Sequence, residues 1–314
     1  MDPAPPSSTT HLGWSNVAIG FAFIVADVFL SVVLGVQVGS SLFTAAVRCV
    51  LQLSVMGLVL QSVFEAKHGL AVTAITLLLV SLGTFEVVIN KSKRRFSGMT
   101  PAVFASMVVS TVPVAVLGTR FAMGISPFWI PEQFIPIFGM LCGSTISGIV
   151  VATGFVLREL QENRGNVEVY LAFGASRFEA CKPIVVEALR LALLPTINSM
   201  SVIGLISIPG MMTGSILGGA SVDQAAKLQM VIMFMISAAS ALAAITCTVI
   251  TLMVTVDSEH RVRNDLIQTD KHAVWKGRDR MIKSIMGGFR NRSIRLGPGP
   301  GGDERRSLLV NAEA

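Results

Sequence analysis

Long apolar runs separated by short polar connections dominate the chain up to about residue 256. Seven of these runs are long enough to cross a bilayer, which takes about 20 apolar residues in a helix. The runs cover residues 14–36, 42–64, 70–89, 101–123, 134–157, 189–208 with an extension to 217, and 228–256. The pattern therefore predicts an all-α, polytopic membrane protein with seven transmembrane helices.

Polar segments flank and interrupt this apolar core. Residues 1–13 are rich in Pro, Ser and Thr and lack the Lys/Arg of a signal peptide, so we expect a disordered lead. Residues 158–188 separate the fifth and sixth runs. From residue 257 to 314 the chain is a polar, basic tail that we expect to be helical in part over 258–285 and disordered afterwards. The expected domains are thus a lead, a seven-span membrane domain over 14–256 and a tail.

Composition agrees with a membrane protein, and charge indicates its orientation. Only 14% of residues are charged and 52% are hydrophobic, whereas soluble domains carry about 25% charged residues. The excess of Lys and Arg lies in residues 91–95, in 158–190 and after Arg261. The positive-inside rule places these regions in the cytoplasm. Seven spans then leave the N-terminus outside or in a lumen and the C-terminus in the cytoplasm. The charge does not indicate a nucleic-acid partner, and the sequence does not name the membrane.

Motifs of catalysis are missing from the sequence. No G-x-x-x-x-G-K-[ST] loop occurs, so any ATP that drives this chain must be bound by another polypeptide. The four histidines and four cysteines show no ligand spacing, and we assign no metal site to them. H-E-x-x-H and G-x-S-x-G are absent, which argues against an intramembrane hydrolase. We expect a chain that is not an enzyme and binds no cofactor of its own.

The connection around Gly174 is the first candidate site. Glycine permits a turn of positive φ between one helical stretch that begins near Val167 and a second that runs through Phe178. Together with Leu171, Phe173 gives this connection a small apolar face, which suits a groove on a soluble partner. An ordinary loop with a glycine cap is the alternative. The candidate contact residues are Glu168, Tyr170, Phe173, Gly174, Ala175 and Phe178.

The sixth run contains helix breakers and small residues. Pro209 should free a backbone carbonyl and bend its helix, and Gly210 and Gly214 allow close helix approach. Irregular backbone in a membrane is tolerated where protein or a watery cavity meets it, so we expect a hinge or a translocation path here. A tight crossing with methionine as packing filler is the alternative. The residues concerned are Pro195, Asn198, Pro209, Gly210, Met211, Met212 and Gly214.

The fifth run carries a second small-residue face, which we expect to cross the sixth run or a second copy of the chain. Its members are Gly139, Gly143, Ser144, Ser147 and Gly148.

Four polar residues lie inside the predicted spans: Asp27, Arg48, Gln52 and Glu86. Ionisable groups in a membrane are costly and are functional candidates by default. Both Arg48 and Glu86 fall near cytoplasmic ends of spans, and a pair between them would be structural. Asp27 is deeper and serves either as a polar contact inside the bundle or in cation passage.

Several stretches resemble known permeases. Glu168, Val169 and Tyr170 precede Gly174 at the spacing of the E-A-A…G coupling helix of ABC importer-type permeases, with both alanines replaced. The strings RCVLQL (48–53), IPIFGM (135–140), FGAS (173–176), ALLPTINS (192–199) and GLISIPGMMTG (204–214) resemble the FetB-type iron-export ABC permeases and the related plant aluminium-tolerance membrane proteins. The similarity covers about residues 14–256. It implies a seven-span permease that pairs with a separately encoded ATPase.

The resemblance and the pattern together predict a permease homodimer in the lipid bilayer, with two soluble ATPase subunits docked on the loop around Gly174. ATP on the partner subunit would drive transport, either export of metal ions such as iron or movement of a nucleotide sugar. Two alternatives remain. One is a proton-driven secondary transporter that titrates Asp27 or Glu86, and the other is a membrane scaffold that acts through the basic tail.

Overall fold

The computed structural model describes residues 13–36, 38–66, 68–257, 263 and 266–268 of the 314-residue chain. Its α-helices are α1 Trp14–Val33, α2 Gly39–Ala66, α3 Gly69–Phe85, α4 Met99–Leu117, α5 Pro131–Glu162, α6 Arg164–Ala172, α7 Arg177–Val202, α8 Gly210–Leu217 and α9 Val222–Thr255. Two short strands are β1 Arg95–Phe96 and β2 Ile267–Gln268. The predicted lead over 1–13 and the tail helix over 258–285 fall almost wholly outside the described residues.

Six helical segments in the described part of the chain are long and apolar enough to cross a membrane. They are Trp14–Val33, Gly39–Phe64, Gly69–Lys91, Met99–Ala122, Pro131–Glu162 and Val222–Thr255. The third and fourth include π-helical turns over Glu86–Lys91 and Gly118–Ala122. Six of the seven predicted runs are thus helices of membrane-spanning length, and the all-α membrane architecture is confirmed.

The sixth run, in which helix breakers were predicted, forms two helices with a break between them. Helix α7 ends at Val202, and α8 begins only at Gly210. Between them Gly204 has a φ of +88°, which ordinary side chains disfavour. Proline at 209 also disfavours helical backbone at the residue before it. Pro209 caps α8 in an extended conformation, so the predicted bend at Pro209 is wrong, because no helix runs through it.

The chain divides into two compact units, residues 1–72 and 73–314. In the first unit α1 and α2 form a hairpin, in which the Phe21 ring meets the edge of Phe43 at a centroid distance of 5.7 Å. The backbone N–H of Val38 donates to Ser31 Oγ at 3.1 Å and fixes the turn. Helix α1 buries no residue, so its many apolar side chains are available to lipid.

In the second unit α4, α5, α7 and α9 pack around fully buried side chains such as Phe138 and Ile149. Helices α5 and α9 lie close together at Gly148. A methyl group added to this residue would lie only 2.8 Å from Ser240 Oγ. Farther along, Thr153 Oγ1 lies 3.3 Å from Cys247 Sγ. From the first pair to the second, the residue number rises in α5 and also in α9. The two helices therefore run in the same direction.

A short tail segment returns to the connection that follows α3. Strands β1 and β2 pair antiparallel, with Phe96 opposite Ile267, and the Ser97 N–H donates to the Leu266 carbonyl at 3.2 Å. Nearby, Arg94 Nη2 binds Glu162 Oε1 at the end of α5 at 2.9 Å. The connection, the end of α5 and the start of the tail are thus fixed to one another at one end of the bundle.

Candidate functional site

The first candidate site is the segment that we call the elbow, residues 164–182, which joins α6 to α7. Helix α6 ends in a Schellman motif: the Ala175 N–H donates to the Tyr170 carbonyl at 3.1 Å and the Gly174 N–H to the Leu171 carbonyl at 3.0 Å. Gly174 supplies the left-handed residue that this motif needs, with a φ of +86°. The positive-φ turn predicted at Gly174 is confirmed.

Helix α7 then begins within two residues of that turn, at a complete capping box. The Ser176 hydroxyl accepts from the Glu179 N–H at 3.4 Å, while the Glu179 carboxylate accepts from the Ser176 N–H at 2.8 Å and from its hydroxyl at 2.6 Å. The hydroxyl bond above all, and the backbone bond next, lower the pKa of the Glu179 carboxyl from its ordinary value. The Schellman motif and the capping box leave little freedom between the two helices.

The elbow has a buried side and an exposed apolar side. Val167 and Leu171 are buried, so the expectation that Leu171 belongs to the exposed face is wrong. Phe173 is 88% exposed, and Tyr170 and Phe178 are exposed as well. Beside them a groove of about 590 Å³ runs between the end of α5, α6 and the start of α7. The predicted contact residues Tyr170, Phe173 and Phe178 thus present apolar surface, while Glu168 is held by Arg164 at 2.5 Å.

The second candidate site is a cleft of about 370 Å³ between α5, α7 and α9, which we call the bundle cleft. Each helix contributes one stripe of residues to its wall, and the break before α8 contributes two more. The lining residues are Met140, Ser144, Ser147, Gly148, Ala192, Pro195, Thr196, Ser199, Ile203, Pro209, Gln229, Met233, Ile236 and Ser240.

The bundle cleft contains only part of the predicted path. Pro195 and Pro209 line it, whereas Asn198, Gly210 and Gly214 do not and are exposed. The methionines of α8, Met211 and Met212, lie outside it too, in a helix that buries no residue. The cleft instead draws on Ser144, Ser147 and Gly148 of the predicted α5 face, and on α9, for which no site residue was predicted.

Gln229 is the functional candidate that the sequence pattern missed. It stands at the start of the seventh run, where a polar side chain reads as a residue of the membrane surface. In the structure Gln229 is only 7% exposed, and its amide oxygen has no hydrogen-bond partner. A buried polar atom without a partner is rare, because it has lost its water and gained nothing.

Three alanines adjoin one end of the bundle cleft. Ala152 of α5, Ala192 of α7 and Ala244 of α9 form a buried cluster, with Leu189 packed against it. Ala192 is also the first residue of α7 that lines the cleft, so the cluster and the cleft share this residue. Small side chains such as these allow helices to approach closely.

The polar residues predicted inside the spans fall on α1, α2 and the π-helical turn after α3. Asp27, Arg48 and Gln52 are exposed on α1 and α2, and Glu86 is half-buried and accepts from Asn90 Nδ2 at 2.6 Å. The pairing of Arg48 with Glu86 stays a prediction. Among the described residues no three His, Cys, Asp or Glu side chains come together in a way that could hold a metal ion.

Comparisons with known proteins agree on one family. Residues 14–255 match the family described as "Uncharacterised protein family (UPF0014)". The chain is 31% identical to the UPF0014 membrane protein STAR2 of Oryza sativa, over 79% of this chain and 86% of that protein. It is 30% identical to Protein ALUMINUM SENSITIVE 3 of Arabidopsis thaliana, over 75% and 85%. It is 25% identical to the "Probable iron export permease protein FetB" of Escherichia coli, over 79% and 93%. No solved structure matches.

Proposed function

The chain belongs to the UPF0014 family of membrane proteins, and from this premise we propose that it is the membrane permease subunit of an ABC-type transporter driven by a separately encoded ATPase. The observation that carries the proposal is the elbow. It is an exposed apolar surface on a short helix whose junction with a long helix is fixed by a Schellman motif and a capping box. A soluble motor that fills its groove with this surface would move α7 as a rigid body.

Seven crossings are part of the proposal, and the direction of the helices supports them. Because α5 and α9 run the same way, the chain must return across the bundle between them. Helix α7, the break at residues 203–209 and α8 supply that return. The elbow and the basic connection around residues 91–95 then share the cytoplasmic side, and the N-terminus lies outside or in a lumen.

The proposed cargo is a metal ion. A permease named for iron export and a protein named for aluminium sensitivity are both similar to this chain. The uncharged wall of the bundle cleft offers no lysine or arginine to the phosphates of a nucleotide sugar, the other cargo considered. Two copies of the permease and two ATPase subunits would make the working assembly.

The experiment is an affinity purification of the full-length protein with two matched variants, Phe173→Ser and Leu205→Ser. The two residues are equally exposed, at 88% and 87%, and lie near opposite ends of α7. We expect a P-loop ATPase to copurify with the wild type and with Leu205→Ser, and to be lost in Phe173→Ser.

Two outcomes would contradict the proposal. An ATPase that follows all three proteins equally would mean that the elbow is not the docking surface. No ATPase with the wild type, together with transport that collapses on adding an uncoupler, would favour a proton-driven transporter, and Asp27 and Glu86 would then be the residues to change.

A further inference from the structure

The bundle cleft is lined by electron-pair donors that carry no charge. Hydroxyl groups come from Ser144, Thr196 and Ser199, an amide oxygen from Gln229, and thioether sulfurs from methionines on α5 and α9. No Asp, Glu, His, Lys or Arg lines it. A ligand that enters this cleft therefore meets uncharged side chains only, and the electron-pair donors among them are neutral oxygen and sulfur atoms.

Gln229 is the donor that most needs a ligand. It lines the cleft, its side chain is 7% exposed, and its amide oxygen has no partner within the protein. One turn farther along α9, Met233 lines the same wall. Because residues four apart lie on the same helix face, the amide and the thioether point to the same side of α9.

The packing of α5 against α9 brings a second thioether to the same height. Thr153 and Cys247 contact each other and are 94 residues apart in sequence. Because the two helices run in the same direction, a separation of 94 residues also applies one or more turns earlier. It places Met233 of α9 level with residue 139 of α5, next to Met140. Met140 also lines the cleft. The thioethers of Met140 and Met233 and the unpaired amide oxygen of Gln229 thus converge on one cleft, on neighbouring turns of α5 and α9.

From this convergence we propose that the bundle cleft is a cargo-binding subsite for a soft, singly charged metal cation of the Cu(I) class, held by Met140, Met233 and Gln229. Thioether sulfur is a preferred ligand of soft cations, whereas hard, multiply charged cations favour sites built from oxygen ligands, with carboxylates prominent among them. A neutral ligand set in a low-dielectric cleft also favours the smallest cation charge. The proposal rests on the proposed permease function. It adds the donor atoms and the class of cation.

The three-alanine cluster gives the subsite a floor. Ala152, Ala192 and Ala244 adjoin the cleft through Ala192; in this proposal they close it, so a bound cation would be held on one side of the closure. Movement of α7 is the step that would open it, since α7 contributes both the wall of the cleft and one alanine of the floor.

The experiment measures equilibrium binding of Ag(I), a stand-in for Cu(I) that does not change oxidation state, to the full-length protein in lipid nanodiscs. The test variant is Met140→Leu with Met233→Leu, which replaces both thioethers at nearly constant volume. The control is Met230→Leu, because Met230 is 53% exposed on the same helix and does not line the cleft. All cysteines are retained in all proteins, so the difference isolates the two thioethers.

We expect the double variant to bind Ag(I) at least about tenfold more weakly than the wild type, and Met230→Leu to bind as the wild type does. A gain-of-function variant guards against misfolding: Gln229→Glu adds a carboxylate and should tighten binding of Mn(II), a hard divalent cation, by at least about tenfold. Equal Ag(I) affinity in the wild type and the double variant overturns the proposal. So does a failure of Gln229→Glu to gain Mn(II) affinity while its melting temperature is unchanged.

Copurification of the ATPase from the same preparations separates this proposal from the proposed function. If an ATPase follows the wild type and Ag(I) affinity does not depend on the two methionines, only the subsite is wrong. If no ATPase is recovered, the proposed function is wrong, and the Ag(I) comparison still decides whether the cleft binds a cation.

Discussion

The two ends of α7 are built in opposite ways. At its start two helices are joined by four residues, 173–176, which form a Schellman motif and the capping box at which α7 begins. At its end the backbone leaves the helix at Ile203, and the apolar side chains of Leu205 and Ile206 are more than four-fifths exposed, at 87% and 82%. The first junction combines backbone hydrogen bonds with a side-chain capping box, whereas the second interrupts the helix and has backbone bonds without a side-chain cap, such as that from the Gly204 N–H to the Ser207 carbonyl at 3.0 Å.

This difference suits a helix that transmits a force from one end to the other. A force applied at the elbow would not be lost in bending the junction, because the Schellman motif and the capping box would both have to open first. The helix does not continue through residues 203–209, so movement of the far end of α7 relative to α8 and α9 would not require a continuous helix to bend. Since Pro195, Thr196 and Ser199 of α7 line the bundle cleft between these two ends, the motion would change the width of the cleft.

Replacement of Gly174 by Val should reduce the difference in stiffness between the two ends of α7 most strongly. A Cβ at this position would meet no atom within 4 Å, so the cost is that of left-handed backbone alone, about 1–2 kcal/mol. We expect the Gly174 and Ala175 region to exchange its amide hydrogens about 5–30 times faster, with no change at residues 203–204. Gly174→Asn is the control, because Asn tolerates this conformation. Equally slow exchange in the Val variant would mean that the turn does not set the stiffness of the elbow.

Removal of the cap at Ser176 should have a smaller effect at the same end. Ser176→Ala deletes the hydroxyl that accepts from the Glu179 N–H, a loss that costs about 1 kcal/mol. We expect the Glu179 amide to exchange about fivefold faster. The matched control is Ser221→Ala, since Ser221 caps α9 by accepting from the Gln224 N–H at 3.3 Å, and its effect should stay at α9. An effect of Ser176→Ala at both ends of α7 would contradict the independence of the two junctions.

Acid should soften the elbow and leave the break unchanged. The hydrogen bonds from Ser176 lower the folded-state pKa of Glu179, so their stabilisation is fully present above the unfolded-state value, about 4.3, and is lost as pH falls through the lower folded-state value. We therefore expect elbow amides, measured relative to an unstructured peptide, to lose protection as pH falls below about 4.3. Glu179→Gln should abolish this pH dependence. An unchanged dependence in that variant would assign it to another group.

Six spans and the turn at Gly174 could be predicted because each depends on local sequence. A run of about 20 apolar residues reads as a transmembrane helix, and a glycine between two helical patterns indicates a left-handed cap. The break after Val202 was hidden for the opposite reason: residues 203–208 are as apolar as the helix before them, so hydropathy runs through a point where Gly204 and Pro209 stop the backbone.

What could not be predicted depends on packing between distant segments. The amide oxygen of Gln229 is buried because α5 and α7 lie over that face of α9. The pairing of Phe96 with Ile267 likewise joins the connection after α3 to the distant tail. Leu171 and Phe173 are both apolar and two residues apart, yet one is buried and the other exposed. Their difference in exposure depends on how α6 packs against α5 and α7.

The alanine cluster beside the bundle cleft has a consequence for the ion gradients that the cell maintains. A membrane that holds such a permease keeps its voltage and its ion gradients only if the resting protein passes neither protons nor salt. Three buried methyl groups from three different helices, Ala152, Ala192 and Ala244, would form an apolar barrier on which water could not line up. The protein would thus sit idle in the bilayer without acting as a leak across it.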